Sequence, residues 1–248
     1  MLTRDERERY NRQIIIKGFG EEGQERLKKA RVLIAGAGGL ASPAAMYLVA
    51  AGVGMIRIVD HDRVELNNLN RQVLHGQGDI GKRKVDSAAE KLAKLNPGVV
   101  IEAIGEAITE ASISRLVDGF DLIVDGMDNL PTRYLLNKVA LEKGAPFFHG
   151  AVYGFEGRVM TIIPGETACL RCVYRGVIPE ERFPVIGVTP AVIGCIQATE
   201  VIKYIVGIGQ LLTNKLLVYD GLNMRFTEFR LKRDPNCEHC GKLVRGKK

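Results

Sequence analysis

Residues 31–41 read Arg-Val-Leu-Ile-Ala-Gly-Ala-Gly-Gly-Leu-Ala, an apolar run that ends in a cluster of small residues. The run 31–35 has the composition of a buried β-strand, and residues 42–51 after it have the composition of a helix. Small residues at such a junction let the backbone approach an anion, and the helix N-terminus offers free N–H groups. The stretch therefore predicts a phosphate-facing loop. Its expected contact residues are Gly36, Gly38 and Gly39.

Strands and helices are predicted to alternate on both sides of this loop. Further apolar runs that predict strands are 55–59, 99–104 and 121–125. Helices are predicted over 21–30, 81–95, 110–117 and 131–143, the third of them capped by Thr109. Nearly continuous apolar strands that alternate with helices indicate a mostly parallel sheet covered on both faces.

The alternation weakens after about residue 145. Strands are expected at 146–149, 158–163, 216–220 and 225–231, with a long apolar helix over 190–206. These strands are interpreted as a lobe of antiparallel character. We therefore expect an α/β fold with a Rossmann-like, mostly parallel sheet and helices on both faces, continued by antiparallel strands in the C-terminal part.

The composition is that of an ordinary globular protein of 248 residues, with 26% charged and 46% hydrophobic residues. A net charge of +6 is compatible with an anionic partner, either a nucleotide or an acidic protein. Aromatic residues make up 6% and form no stripe with basic ones, which disfavours nucleic acid. The N-terminus lacks the apolar core of a signal peptide, and the absence of a run of about 18 apolar residues argues against a membrane span. We expect a cytoplasmic protein.

Asp60 ends the second strand, at the spacing where a carboxylate meets ribose hydroxyls. With the glycine loop it fits a nicotinamide dinucleotide as well as ATP, and a tight turn without ligand is a further interpretation. Arg71, Lys84 and Asp128, which follow the second and fourth strands, favour ATP. A nucleotidyl transferase needs cations and Mg²⁺ where charge gathers on phosphorus and on departing pyrophosphate.

Each of these three residues also has a simpler interpretation. Arg71 or Lys84 alone is typical of a solvated surface, and Asp128 alone could cap the helix that begins near Pro131. Their joint position beyond the carboxyl ends of parallel strands, where such folds bind ligands, predicts nucleotidyl transfer with Asp128 as a Mg²⁺ ligand.

Four of the five cysteines form two C-x-x-C pairs, Cys169/Cys172 and Cys237/Cys240. Two such pairs supply the four thiolates of a tetrahedral structural Zn²⁺ site, which would join the C-terminal segment to the body. A redox C-x-x-C is the alternative, but neither pair is expected to open a helix after a strand. His239 lies inside the second pair and is not expected to be a fifth ligand.

Together these residues resemble the MoeB/ThiF group of ubiquitin-activating-like enzymes (HesA/MoeB/ThiF), and the resemblance covers about residues 9–241. The matching segments are 9–14, the Gly36 loop, 60–62, 67–72, 81–84, 125–129 and both cysteine pairs. The resemblance implies an adenylyltransferase that uses ATP, Mg²⁺ and structural Zn²⁺ and works as a homodimer. The implied substrate is the C-terminal glycine carboxylate of a small ubiquitin-like sulfur-carrier protein of the MoaD/ThiS type, activated as an acyl-adenylate with release of pyrophosphate.

The resemblance also implies a role for each matching residue. The Gly39 loop contacts the nucleotide, Asp60 holds the ribose and Asp128 binds Mg²⁺. Residues implied to hold the phosphates are Asn68, Arg71 and Lys84. Further residues in the matching nucleotide segments are Asp62, Asn67 and Asn129. Arg12 is the arginine that a partner subunit inserts toward the triphosphate, which makes the expected catalytic set Arg12, Arg71, Lys84 and Asp128.

The chain is interpreted as one ThiF-type adenylation domain over 1–248, with a nucleotide-binding part over about 20–145, a substrate-facing and zinc-bearing part over about 146–241, and a basic tail over 242–248.

The sequence departs from the family in one stretch. Many relatives carry a cysteine shortly before the helix that begins here near Thr189, whereas residues 173–194 contain none and 179–187 is interpreted as shortened. Cys195 is expected to be buried and inert. We therefore expect no catalytic thiol, and an acyl-adenylate that another enzyme's sulfur resolves. A small-molecule carboxylate remains an alternative substrate, and a non-catalytic nucleotide-binding scaffold remains a second alternative.

Overall fold

The computed structural model describes residues 1–174 and 184–243. Two short helices, α1 (Arg4–Arg9) and α2 (Asn11–Ile14), precede α3 (Gly20–Lys29). The next elements are β1 (Arg31–Ala35), α4 (Ala41–Ala50), β2 (Met55–Val59), α5 (Lys84–Leu95), β3 (Val100–Ile104), α6 (Glu110–Val117), β4 (Leu122–Asp125) and α7 (Leu130–Lys143). The last are β5 (Phe147–Tyr153), β6 (Glu156–Ile162), α8 (Leu170–Val173), α9 (Val188–Val206), β7 (Lys215–Asp220) and β8 (Arg225–Arg230).

These strands form one sheet in the order β3-β2-β1-β4-β5-β6-β7-β8. Strands β1 to β5 pair in parallel, and β5 to β8 pair antiparallel. The predicted fold class is thus confirmed. The expected C-terminal lobe is instead a continuation of the same sheet, because β5 pairs with β4 on one side and with β6 on the other.

The central strands β1 and β4 are buried on both faces, as their continuous apolar runs predict, whereas the edge strand β3 is only partly buried. In β1, Val32 and Ile34 pack into a core with residues of α3, α4 and α9. The alternate residues of β1, Leu33 and Ala35, pack into a second core with residues of α6 and α7. Each fully buried aliphatic side chain of this size contributes about 1.5–3 kcal/mol from area removed from water. Packing on both faces fixes the position of the sheet, and therefore the positions of the carboxyl ends of its strands.

Helix α9 carries polar side chains that tie it to the sheet. Gln197 Nε2 donates to the carbonyl oxygens of Asp125 and Phe148, both at 2.9 Å. Glu200 is buried and accepts hydrogen bonds from Thr161 Oγ1 at 2.7 Å and from the backbone N–H of Leu212 at 2.6 Å.

Across 1–174 and 184–243, neither α9 nor another helix has the length and apolar character that a membrane crossing needs.

Helix α5 begins at Lys84, three residues later than the predicted start at residue 81. Residues 81–83 pair back onto the preceding loop instead: Val64 N–H donates to Lys82 O at 2.9 Å, and Arg83 forms a bridge with Arg63. Gly81 has φ = 87°, which is outside the helical region. The consequence is that Lys84 is the first residue of the helix.

Candidate active site

A cavity of about 620 Å³ opens at the carboxyl ends of β1, β2 and β4. Because the chain passes from β3 to β4 across β1, the strand order reverses here, which is where open α/β sheets bind ligands. The volume lies within the range of roughly 300–1,000 Å³ for small-molecule sites. The predicted residues that line the cavity are Gly36, Gly38, Gly39, Asp60, Asp62, Asn67, Arg71, Lys84, Asp128 and Asn129.

The glycine loop is closely packed at two points, and at Gly36 it has no room for a side chain. Gly36 has φ = 100°, and a Cβ there would lie 2.7 Å from the carbonyl oxygen of Gly126. A Cβ on Gly39 would lie 3.3 Å from the Pro190 ring and 3.5 Å from Arg71 Cγ. The loop therefore packs closely against the segment after β4 and against the Arg71 side chain. Within the described residues the N–H groups of Gly38 and Gly39 have no assigned acceptor, as expected at an anion-binding helix N-terminus.

Asp60 anchors the glycine loop. Its Oδ2 accepts the backbone N–H of Ala37 at 2.8 Å, and its Oδ1 accepts the backbone N–H of Asp62 at 2.8 Å. Each carboxylate oxygen can accept a further hydrogen bond, and Asp60 lines the cavity. The residue can therefore position the loop and still accept a ribose hydroxyl.

Lys84 and Arg71 are two of the cations in the wall of the cavity. Lys84 Nζ donates to Asp62 Oδ2 at 2.7 Å, which leaves two of the three ammonium donors for a ligand. Arg71 donates from Nη1 to Asn67 O at 2.8 Å and to Asn70 Oδ1 at 3.1 Å. Residues of the same loop thus hold both cations in place before any ligand binds, as electrostatic stabilisation of phosphate charge requires.

Asp128 is exposed at the cavity and is not the helix cap. Asn129 is the N-cap of α7, and its Oδ1 accepts the backbone N–H of Thr132 at 2.9 Å. The simpler interpretation of Asp128 as a cap is therefore wrong. Its carboxylate accepts a long hydrogen bond from Asn129 Nδ2 at 3.4 Å and lines the cavity, where its remaining oxygen sites can bind a divalent cation.

Two predicted residues lie outside the cavity wall. Asn68 is buried, its Oδ1 accepts the backbone N–H of Glu65 at 3.1 Å, and its Nδ2 donates to Asn67 Oδ1 at 2.6 Å. Asn68 thus supports the loop behind the cavity wall, and its contact with a phosphate stays a prediction. Arg12 is exposed on α2, whose neighbour Gln13 donates to Ala51 O at 2.8 Å, at the end of α4 farthest from the glycine loop.

A buried network that the sequence analysis missed supports the Asp128 segment. Asp125 Oδ2 accepts a hydrogen bond from His149 Nδ1 at 2.6 Å and lies 3.2 Å from Arg133 Nε. Asp125 Oδ1 accepts the Met127 N–H at 3.0 Å, and Arg133 donates to Met127 O at 2.5 Å. Burial lowers the pKa of His149 despite the opposing effect of Asp125, so the neutral ring donates from Nδ1. Met127 is thus held at both its N–H and its carbonyl.

Two signals in the sequence could have indicated this network. Arg133 lies among the first four residues of α7, where the helix dipole favours anions and a cation needs a partner. His149 is a titratable residue within the apolar strand β5. Arg133 also lines the cavity, so it belongs to the candidate site.

The four paired cysteines meet in one cluster, formed by Cys169, Cys172, Cys237 and Cys240. The Sγ atoms of Cys169 and Cys172 are 3.9 Å apart, those of Cys169 and Cys237 are 3.7 Å apart, and those of Cys172 and Cys240 are 3.4 Å apart. Four thiolates bound to zinc at about 2.3 Å in a tetrahedron lie about 3.8 Å from one another, so the cluster fits Zn²⁺. Burial raises the pKa of Cys240 to about 11 and also raises that of Cys169, so zinc binding would release protons.

The structure corrects one argument against the redox alternative. Cys169 is the N-cap of the one-turn helix α8, so one of the two pairs does open a helix. A two-cysteine redox site is disfavoured for another reason, because all four sulfurs lie within 4.8 Å of one another. His239 Nδ1 lies 2.9 Å from Asn137 Nδ2 and accepts its hydrogen bond, in agreement with a non-ligating role.

Cys195 is half-buried, so the prediction that it is buried is wrong. Burial nevertheless raises the pKa of its thiol, which lowers the fraction of reactive thiolate. In the stretch 179–187, which is interpreted as shortened, residues 179–183 lie outside the part of the chain that the structure describes.

Comparison with known proteins places the chain in a family. The profile of the ThiF family matches residues 10–239, a range that contains the whole predicted cavity set. The chain therefore belongs to the ThiF family.

Individual relatives indicate which members of the family the chain is similar to. The chain is 43% identical over 240 residues to the SAMP-activating enzyme E1 of Haloferax volcanii, covering 94% of this chain and 88% of that protein. It is 43% identical over 250 residues to the sulfur carrier protein adenylyltransferase of Thermus thermophilus, covering 96% of this chain and 92% of that protein. Among solved structures, E. coli MccB with ATP superposes with a TM-score of 0.82 at 25% identity, covering 90% of this chain and 70% of MccB.

Proposed function

We propose that this chain is an ATP-dependent adenylyltransferase that activates the C-terminal glycine carboxylate of a ubiquitin-like sulfur-carrier protein. The observation that carries the proposal is one cavity that combines a glycine loop whose N–H groups have no acceptor among the described residues, two held cations, and the exposed carboxylate of Asp128. The two relatives named above are described as acting on a sulfur carrier protein and on SAMP. Both are covered over nearly their full length, so the proposal extends to the whole chain.

The chemistry needs little acid–base catalysis. A terminal carboxylate is ionised at pH 7, so its oxygen attacks the α-phosphorus directly, the bond to the bridging oxygen breaks, and pyrophosphate leaves with the electron pair. Lys84 and Arg71 stabilise the charge that gathers on the phosphate oxygens, and the glycine loop donates N–H groups to them. Asp60 accepts a ribose hydroxyl and so fixes the nucleoside. A Mg²⁺ ion held by Asp128 would neutralise phosphate charge when bound.

Arg12 has a role in this proposal only through a second copy of the chain. It lies on the exposed helix α2, away from its own cavity, so it reaches a triphosphate from the partner subunit of a homodimer. The Cys₄ cluster holds one Zn²⁺ and has a structural role, because four thiolates complete a tetrahedral shell. Cys195 takes no part in catalysis, so the acyl-adenylate is the product that leaves for a sulfur donor.

The test is pyrophosphate–ATP exchange with purified protein. We expect exchange that depends on a carrier protein ending in Gly-Gly and is absent with the same carrier shortened by its last glycine. Exchange supported by small carboxylic acids instead would show that the substrate is a small molecule and not a carrier protein. If the protein binds ATP but catalyses exchange with neither class of carboxylate, the result would favour a non-catalytic nucleotide-binding scaffold.

A further inference from the structure

His75 connects the glycine loop to the helix that begins at Lys84. Its ring is buried, with 6% of the residue exposed, and it lies between the two elements. Nε2 lies 2.9 Å from the carbonyl oxygen of Ala37, and Nδ1 lies 2.9 Å from Ser87 Oγ on α5. Nothing in the proposed reaction uses His75, yet it contacts the loop that faces the phosphates.

The partners determine where the proton sits on the ring. The carbonyl of Ala37 can only accept, so Nε2 carries the hydrogen and Nδ1 accepts from the Ser87 hydroxyl. Lys91 Nζ in turn donates to Ser87 Oγ at 2.9 Å, which directs the hydroxyl hydrogen toward His75. Lys91 is itself paired with the buried Asp79 carboxylate. This chain of donors fixes one neutral tautomer and aims its N–H at the glycine loop.

The peptide group after Ala37 is thereby held in one orientation. Asp60 binds the Ala37 N–H at 2.8 Å on one side, and His75 binds the Ala37 carbonyl at 2.9 Å on the other. In a trans peptide the carbonyl of one residue and the N–H of the next point in opposite directions. With the Ala37 carbonyl turned inward to His75, the Gly38 N–H points outward, and Gly38 lines the cavity.

We propose that His75 is a positioning residue that aims the Gly38 N–H at the phosphates of bound ATP. The inference rests on the proposed function, because it requires ATP in this cavity. If the Ala37 peptide is free to turn, a carbonyl oxygen can face the phosphates in place of an N–H donor. A hydrogen bond to a charged group contributes about tenfold or more in affinity, so loss of His75 weakens ATP binding by at least that factor.

The test compares variants that differ in where they carry a donor. The Gln side-chain amide nitrogen reaches the position of Nε2, whereas the shorter Asn amide reaches only that of Nδ1. We expect His75→Gln to bind ATP within about threefold of wild type, and His75→Asn and His75→Phe to bind it about tenfold more weakly. Dissociation constants are measured by calorimetric titration with Mg²⁺ and ATP, and in parallel with adenosine, which lacks phosphates. Adenosine affinity should change little in any variant.

A matched control separates positioning from stability. Val139→Ala removes a buried side chain of α7 that does not line the cavity, so it should lower the melting temperature without changing ATP affinity. Equal ATP affinity in wild type and His75→Phe, an equal loss for adenosine, or equal behaviour of the Gln and Asn variants would overturn the inference. If His75→Phe does not fold, the Gln and Asn variants decide. Wild-type protein that binds no ATP would overturn the proposed function and this inference together; failure of the variants alone would overturn only the inference.

Discussion

The Lys84 ammonium and the Asp62 carboxylate form an ion pair at 2.7 Å in which the two partners differ in exposure. Only 8% of the lysine side chain is exposed, against 51% of the aspartate. The stem of Lys84 is therefore packed in the wall, and the exposed carboxylate fixes the head of the side chain at the cavity. Asp62 acts on a ligand through Lys84, and the two residues should contribute unequally to catalysis.

Lys84→Met should lower kcat/KM for pyrophosphate–ATP exchange by about 10²–10³-fold, the loss typical of one preorganised donor to transition-state charge. Asp62→Asn should cost less, about tenfold, because the cation remains but loses its charged partner. Lys94→Met is the control, since Lys94 pairs with Glu90 on the solvent side of α5. Losses of equal size in Asp62→Asn and Lys84→Met would contradict the supporting role of Asp62.

Asp128 and Asn129 are neighbours with separable roles. Asp128→Asn should abolish Mg²⁺-dependent exchange and leave the melting temperature unchanged, because Asp128 does not cap α7. Asn129→Ala should lower the free energy of unfolding by about 0.5–2 kcal/mol, as expected for loss of an N-cap. Exchange assays and thermal unfolding of both variants check the pair. A destabilised Asp128→Asn protein would show that the carboxylate has a structural task as well.

The Cys₄ cluster should hold about one zinc ion per chain. Cys237→Ser should reduce the zinc content and the melting temperature, because it removes one of four thiolates. Cys195→Ser should change neither, since Cys195 lies outside the cluster. Elemental analysis of protein purified without chelators measures the content, and full zinc retention in Cys237→Ser would argue against a four-thiolate site.

Stability should fall as the pH drops below the ordinary histidine pKa of about 6.5. Burial lowers the pKa of His75 in the folded protein and outweighs the hydrogen bond to Ala37 O, which raises it; the charges of Lys91 and Lys84 lower the pKa further, and that of Asp79 raises it. The unfolded chain therefore binds a proton before the folded one does, and the His75 contribution, complete above about pH 6.5, is lost as the pH falls toward the lowered folded value. Urea unfolding at pH 7.5 and 5.5 should show a smaller decrease for His75→Gln than for wild type. His61→Gln is the control, since His61 is exposed.

Subunit complementation tests the position of Arg12. Arg12→Ala and Lys84→Met should each lose most of the exchange activity when assayed alone. If Arg12 serves the partner's cavity, a mixed dimer has one site with both residues intact, and an equimolar mixture should regain about one quarter of wild-type exchange. The measurement is exchange activity after the two variants are unfolded and refolded together. Activity that stays at the level of the separate variants would place Arg12 outside a shared site.

The elements and most of the cavity could be predicted because each depends on local sequence. Gly36 directly follows an apolar run. Lys84 lies beyond the second predicted strand and Asp128 beyond the fourth. Because the carboxyl ends of parallel strands lie at the same edge of a sheet, the three residues are expected to lie at that edge. The Asp125–His149–Arg133 network could not be predicted in the same way, since it joins the end of β4 and the interior of β5 to the first turn of α7. His75 was missed for a similar reason: its partners Ala37 and Ser87 are 38 and 12 positions away and meet only in the folded chain.

The cysteine cluster also bears on how the protein is made. The Cys169 and Cys237 sulfurs that meet in the cluster are 68 positions apart, an interval of several seconds at a synthesis rate of about 5–20 residues per second. All five parallel strands precede residue 169, so the glycine loop can form before the second pair of thiolates exists. A complete Cys₄ site can therefore form only after residue 240 has been made, when all five parallel strands and α9 already exist. When zinc is scarce, we expect molecules in which the nucleotide cavity is intact but the C-terminal segment is not attached to the body of the protein.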